Sequence, residues 1–302
     1  MTFSTKQITG TGVAIVTPFR EDGSIDFRSF ARLIDNLIEN HINYLVVLGT
    51  TGESATLSQD EKRAVIDFAV DHVSGRVPVV AGVGGNNTRQ VVSDLQSHPY
   101  EGVSAILSVA PYYNKPSQEG IFRHYKDIAS SSSLPIILYN VPGRTGVNMT
   151  AETTLRLAHE FPQIVAVKEA SGDFTQVMKI LRDKPKDFLV ISGDDMLTLP
   201  LISIGASGVI SVIANALPNE FAQMVQLALD KKIKKSRTLH FHLLDMMELL
   251  FKEGSPGGIK AALHAKGLIE ECFRLPVVAI SRDTYTDIKT ELTRVQNLNL
   301  TV

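Results

Sequence analysis

Lys168 closes the apolar run Ile164-Val165-Ala166-Val167, which places its stem among hydrocarbon neighbours at the end of a strand. Desolvation disfavours an ammonium group and favours the free amine, the form that attacks a carbonyl carbon. A lysine there has bland uses too: it reaches solvent along its stem, or it pairs with the adjacent Glu169. Its neighbours weigh toward chemistry. Tyr139 supplies a phenol one strand away, and Thr50, Thr51 and Tyr113 add hydroxyls able to pass a proton between a Schiff-base intermediate and water. Arg144, two residues after Pro142, offers a guanidinium suited to a carboxylate-bearing substrate. Gly49 and Gly52 bracket the two threonines and let backbone N–H groups approach a small anion. Taken singly, each hydroxyl is equally well a buried group satisfied by backbone, and Arg144 a surface loop residue.

The elements that must position these groups recur with a rhythm. Apolar, β-branched runs stand at Val13–Val16, Tyr44–Leu48, Val77–Ala81, Ala105–Val109, Pro135–Tyr139, Ile164–Val167, Phe188–Ile191 and Gly208–Val212. They are apolar on both faces, as strands buried within a parallel sheet are. Between them lie segments of helical period: Phe27, Phe30, Ala31, Ile34, Leu37 and Ile38 share one face, and Ser58-Gln59-Asp60-Glu61 is a capping box. Asn87 and Thr150 are further helix caps. Strand–helix units recurring about every 28 residues predict an α/β fold, a (β/α)8 TIM barrel. A doubly wound sheet is the runner-up, but Gly12-Val13-Ala14-Ile15 lacks its glycine fingerprint.

The eighth strand is expected to end near Ile213 and a helix from Pro218 to Asp230 to complete the barrel, so that residues 1–231 carry the active site. Residues 232–302 read as a C-terminal helical appendage, with helices over Leu239–Phe251, Ile259–Leu268 and Asp283–Val295. In a barrel the reacting groups sit at the C-terminal strand ends. Those ends carry Gly49-Thr50-Thr51-Gly52-Glu53, Pro111-Tyr112-Tyr113-Asn114, Tyr139 to Arg144, Lys168-Glu169, Ser192-Gly193-Asp194-Asp195 and the surroundings of Ile210.

Composition narrows the partners. Thirty Lys and Arg against 32 Asp and Glu leave a net charge of −2, so no global field draws in nucleic acid. A single cysteine, Cys272, makes no internal disulfide, fits a reducing cytosol and reads as a small buried hydrophobe. The opening Met1-Thr2-Phe3-Ser4-Thr5-Lys6-Gln7 lacks a signal peptide's apolar core, and no apolar run approaches the roughly 20 residues of a membrane span. A cytoplasmic globular protein is expected. The basic run Lys231 to Arg237 reads as a solvated turn between helices, and His240 and His242 diverge too far to share a metal.

Gly49 to Glu53, Pro111 to Gly120, Tyr139 to Gly146, Lys168-Glu169-Ala170 and Ser192 to Asp195, in this order, resemble the dihydrodipicolinate synthase family. These are pyruvate-dependent class I aldolases whose wider family includes N-acetylneuraminate lyase, and the resemblance runs from Gly12 through Ser281. It implies condensation of pyruvate with L-aspartate 4-semialdehyde on the route to diaminopimelate and lysine, needing no metal or organic cofactor, in a homotetramer built as a dimer of dimers. Lys168 matches the imine-forming lysine. Tyr139 matches the centre of a proton relay, linked through Thr51 to Tyr113, which family members lend across a dimer interface. Thr50 and Thr51 match donors to the pyruvate carboxylate, Arg144 the receptor of the semialdehyde carboxylate, and Gly193 and Ile210 main-chain contacts. Sialic acid lyases generally lack an arginine matching Arg144, so the stretch favours the synthase; a sibling aldolase acting on a sugar acid or 4-hydroxy-2-oxo acid is the alternative.

Lysine-inhibited members bind the inhibitor in a cleft whose matching positions are Ser54, Ala55, Gln59, Lys62, Asn86, Gln90 and Tyr112. The inhibitable pattern has histidines where Gln59 and Lys62 stand and a glutamate where Gln90 stands. Gln90 offers no carboxylate to an incoming ammonium, and Lys62 adds a like charge. The resemblance therefore implies weak or absent inhibition by lysine.

Overall fold

In the computed structural model, which describes residues 4–297, parallel strands close into one barrel in the order β1 to β8, each beside its sequence neighbours and β8 beside β1. The strands are β1 (Gly10–Ala14), β2 (Tyr44–Val47), β3 (Val79–Gly82), β4 (Val103–Val109), β5 (Ile136–Asn140), β6 (Ile164–Glu169), β7 (Leu189–Ser192) and β8 (Gly208–Ser211). Met1, Thr2 and Phe3 of the expected leader-free start, and 298–302 of the expected appendage, lie outside the described residues.

Alternate residues of each strand fill the barrel. Ala14, Tyr44, Val46, Val80, Ala105, Leu107, Ile137, Tyr139, Ala166, Ile191 and Ile210 form its interior, closed below by Ile8. The other strand face joins the much larger shell packed under the helices. This period of two sets the direction of the side chains at the rim: Lys168, two residues beyond Ala166, points inward, and Glu169 outward.

Two strand expectations need correction. The first strand spans Gly10–Ala14, not Val13–Val16. Its glycines hid it, because Gly12 makes room for the buried Tyr44 ring: a Cβ there would lie 2.2 Å from two ring carbons. At the other end of the set, β8 stops at Ser211, and Ile213–Asn215 forms a 3-10 turn instead.

The helices are α1 (Phe27–Glu39), α2 (Gln59–Val73), α3 (Thr88–Ser97), α4 (Gln118–Ser131), α5 (Pro142–Thr145), α6 (Ala151–Glu160), α7 (Phe174–Asp183), α8 (Thr198–Ser203), α9 (Pro218–Leu229), α10 (Ile233–Leu249), α11 (Gly257–Ala265) and α12 (Arg282–Gln296). The Ser58–Glu61 capping box forms as expected, and Asn87 and Thr150 accept from Gln90 and Thr153 N–H. The basic run is not a turn throughout. After Lys231, at φ +62°, α10 begins at Ile233, and Ser236 is the buried contact that starts it, its hydroxyl donating to Met224 O at 2.8 Å. A serine carries no apolar signal, so the periodicity is visible only from Leu239 onward. Among the described residues no helix is long and apolar enough to cross a membrane, and no three His, Cys, Asp or Glu gather as metal ligands would.

The appendage is clasped to the barrel by Arg274. Its guanidinium donates to Glu61 of α2, to Gly23 O and to Thr56 O, and stacks 4.6 Å from the centre of the Phe19 ring. Hydrogen bonding to Arg274 holds the Glu61 carboxyl down at about 2. A carboxyl lowered on folding stabilises the protein above its unfolded value, and that stability is lost as pH falls toward the folded value. Unfolding midpoints measured from pH 5 to pH 2 should therefore fall less steeply in Glu61→Gln than in the parent; identical slopes would show that the clasp carries no linkage.

Candidate active site

Lys168 and Tyr139 are register partners on adjacent strands, β6 and β5, at the upper rim of the barrel interior. Lys168 is buried, 5% exposed, and its Nζ lies 4.3 Å from the centre of the Tyr139 ring. The expected alternative of a pair with Glu169 is not what forms. Because Glu169 faces outward, its carboxylate accepts from Asn140 Nδ2 (3.1 Å), Gln176 Nε2 (3.0 Å) and Ser171 N–H (2.8 Å). Asn140 and Gln176 are further tied to Asn148. Polar groups buried beside β6 are thus satisfied among themselves, and the lysine is left with an aromatic face and, among the described residues, no carboxylate. Nothing in the spacing of Asn140, Asn148 and Gln176 signals this network; only the inward–outward alternation around Lys168 could.

Gly193, two residues beyond the inward-facing Ile191, borders the same lysine. A Cβ at this position would lie 2.7 Å from Ala170 Cβ and 3.2 Å from Lys168 Cε, so a glycine keeps the mouth open over the amine. Ile210 lies in the barrel interior, 1% exposed.

The threonines form a 3-10 turn, Thr50–Gly52, directly after β2. Its own bonds begin at Gly52 N–H to Gly49 O (3.0 Å) and Glu53 N–H to Thr50 O (3.1 Å), which leaves the preceding N–H groups of Thr50 and Thr51 to donate outward. Thr51 is buried and Thr50 exposed. The turn is pinned by Glu53, whose backbone is left-handed at φ +52° and whose carboxylate forms a buried ion pair with Lys260 of α11. Lys260 also donates to Cys272 O (3.0 Å) and lies 4.2 Å from the centre of the Phe19 ring. Burial pushes the Lys260 ammonium down from the ordinary lysine range, while Glu53 pulls it back up. Cys272, expected to be buried, is only half-buried; its carbonyl is the group that matters here. Glu53 and Lys260 are silent in the sequence because each looks like one more surface charge.

Arg144 is exposed on α5, the single turn after β5 that ends at Gly146 in the left-handed region. Tyr113 is not brought to Lys168 within the chain. Its side chain is 89% exposed and its backbone is left-handed at φ +73°, with its N–H donating to Thr145 O at 3.3 Å. Non-glycine residues held in this region mark functional loops. A cavity of roughly 470 Å³ runs from Tyr139, Thr50 and Arg144 outward between α2 and α3. Lys168, Thr51 and Gly193 lie off its walls, the lysine behind the Tyr139 ring. The outer part is lined by Ser54, Ala55, Gln59, Lys62 and Tyr112; Asn86 and Gln90 of the same expected set are not on the wall. Asn86 instead donates to Tyr112 O (3.1 Å), and Gln90 to Asp94 (2.8 Å). Ser255, Pro256, Pro276 and Val277 of the appendage complete the lining.

Comparison with known proteins agrees with this arrangement over almost the whole chain. The profile of the dihydrodipicolinate synthetase family matches residues 7–295. The 4-hydroxy-tetrahydrodipicolinate synthase of Parabacteroides distasonis is 55% identical over 280 residues, 93% of this chain and 94% of that protein. That of Flavobacterium psychrophilum is 53% identical, over 91% of this chain and 94% of that one. The crystal structure of dihydrodipicolinate synthase from Thermotoga maritima superimposes with a TM-score of 0.94 at 39% identity, covering 97% of this chain and all of that one, 100%. With an eight-stranded barrel, a buried lysine over a tyrosine at its mouth and these relatives, the chain belongs to the dihydrodipicolinate synthetase family.

Proposed function

We propose that the chain is a 4-hydroxy-tetrahydrodipicolinate synthase, a Schiff-base-forming lyase that joins pyruvate to L-aspartate 4-semialdehyde. The observation that carries this reading is the Lys168 amine, buried at the barrel mouth over Tyr139 and free of any carboxylate partner among the described residues. The amine adds to C2 of pyruvate, and water leaves as the imine forms. Loss of a C3 proton then gives an enamine, whose C3 attacks the aldehyde carbon of the second substrate. In this reading Tyr139, Thr51 and Tyr113 carry protons between these species and water. Thr50 and Thr51 receive the carboxylate of pyruvate, Arg144 that of the semialdehyde, and Gly193 and Ile210 offer main-chain groups. No metal or organic cofactor takes part.

The exposure of Tyr113 in the single chain supports its being lent to a partner's site. We accordingly infer a homotetramer, a dimer of dimers, acting in the cytoplasm without nucleic-acid or membrane partners. We divide the chain into a barrel, residues 1–231, and a helical appendage, residues 232–302. The appendage supplies part of the cavity lining, so it belongs to the site rather than standing apart as a module.

The test is pyruvate consumption by the purified protein when L-aspartate 4-semialdehyde is the only aldehyde offered. Turnover that requires both substrates is expected. A folded protein that consumes neither would overturn the assignment and direct attention to sugar-acid aldehydes. Lysine is expected to leave the rate unchanged at micromolar concentrations, since Gln90 is engaged with Asp94 and Lys62 lines the outer cavity. A dose–response with half-inhibition in that range would refute this.

A further inference from the structure

The loops after β7 and β8 are joined by a buried carboxylate that the imine chemistry leaves unused. Asp195 is 4% exposed, and its Oδ2 accepts the N–H groups of Val212 (3.0 Å) and Ile213 (2.8 Å). Its Oδ1 has no hydrogen-bond partner among the described residues. Both ends of this strut border the lysine's surroundings. Gly193, two residues before Asp195, is the glycine whose Cβ would crowd Lys168 Cε, and Val212 comes after Ile210 and Ser211 in the chain. The loop itself is braced, with the Ser192 and Thr198 hydroxyls both donating to Asp194 O at 2.8 Å.

We propose that Asp195 is a positioning residue for imine formation: its ionised carboxylate holds the β8 loop against the β7 loop, so that Gly193 and Ile210 stand in register with Lys168. The proposal rests on the reading of Lys168 as the imine-forming lysine. Burial raises the Asp195 carboxyl to about 6, against the lowering effect of the Ile213 N–H, the Ser211 hydroxyl and the Val212 N–H. Of the charged groups around it, Asp194 on its own loop has the same sign and raises it further. Across the mouth stands Lys168 at the end of β6. On the appendage side Lys266 donates to Ala216 O, with Glu220 of α9 beside it. β8, the turn after it and α8 carry no titratable residue. Above pH 6 the strut therefore accepts two charge-assisted hydrogen bonds, and protonation weakens both together.

The experiment is the pH dependence, from 5 to 8, of kcat/KM for pyruvate in the parent, Asp195→Asn and Asp195→Ala, with borohydride trapping of the pyruvate adduct alongside. The parent should show an acid limb with its midpoint near pH 6. Asp195→Ala should lose about 100-fold in kcat/KM at pH 8, the scale expected when reacting groups shift by an ångström. Asp195→Asn, whose amide oxygen still accepts both N–H groups, should recover about tenfold of that loss and lack the acid limb. An unchanged limb in Asp195→Asn would overturn the proposal, as would an alanine variant within about twofold of the parent. Should the alanine variant not fold, the parent and asparagine profiles decide alone. If the parent itself yields no trapped adduct at any pH, it is the assignment of Lys168 that fails, and this proposal fails with it.

Discussion

Lys168→Ala is expected to fold as the parent does and to lose turnover by at least about 10³-fold, together with the borohydride-trapped pyruvate adduct. The loss comes from removing the nucleophile, for which no neighbour substitutes: Tyr139 and Thr51 are hydroxyls, and Glu169 faces the other way into its amide network. Stability should hardly change. The amine has no ionic partner to strand among the described residues, and the site of truncation opens toward a cavity rather than into the packed shell. Mass spectrometry of the reduced protein and a thermal melt separate the two effects. An adduct that persists in this variant would move the nucleophile elsewhere. Lys260, the other deeply buried lysine, is a poor substitute because Glu53 engages it behind the threonine turn.

Lys260→Met is expected to show the opposite balance, with the largest stability loss of any single substitution considered. It leaves the Glu53 carboxylate buried and uncompensated, at a cost of about 3–5 kcal/mol. Replacing both partners, as Lys260→Met with Glu53→Leu, should recover most of that loss, because a buried ion pair exchanged for packed hydrocarbon is close to neutral. Urea midpoints for the two single variants and the double variant give the coupling directly. Additive losses would mean that the pair is not energetically coupled, whatever its geometry.

Much of the barrel was legible because parallel strands buried on both faces spell continuous β-branched runs, and seven of the eight were located to within a few residues. The first escaped because its interior is made of glycine, where the Tyr44 ring takes the volume a side chain would have filled. Lys168, Tyr139 and the threonine turn were visible as chemical types standing at strand ends. What the sequence concealed was pairing across long stretches of chain. Glu53 meets Lys260, Glu61 meets Arg274 and Asp195 meets Val212, contacts that no local pattern encodes. Tyr113 illustrates the reverse case: its type and place suggested the lysine's vicinity, yet the fold of one chain holds it out in solvent.

The pairing of Glu53 with the appendage bears on synthesis. A ribosome delivers all eight strands by Ser211, yet Arg274, whose backbone N–H meets Glu53, is 221 residues downstream of that glutamate. Until that stretch emerges, the nascent barrel has its lysine and tyrosine but lacks one wall of its cavity, and Glu53 has no counter-ion. Catalytic competence should thus arrive only as translation ends. A messenger cut short after the barrel would yield a protein with the right strands and no enzyme.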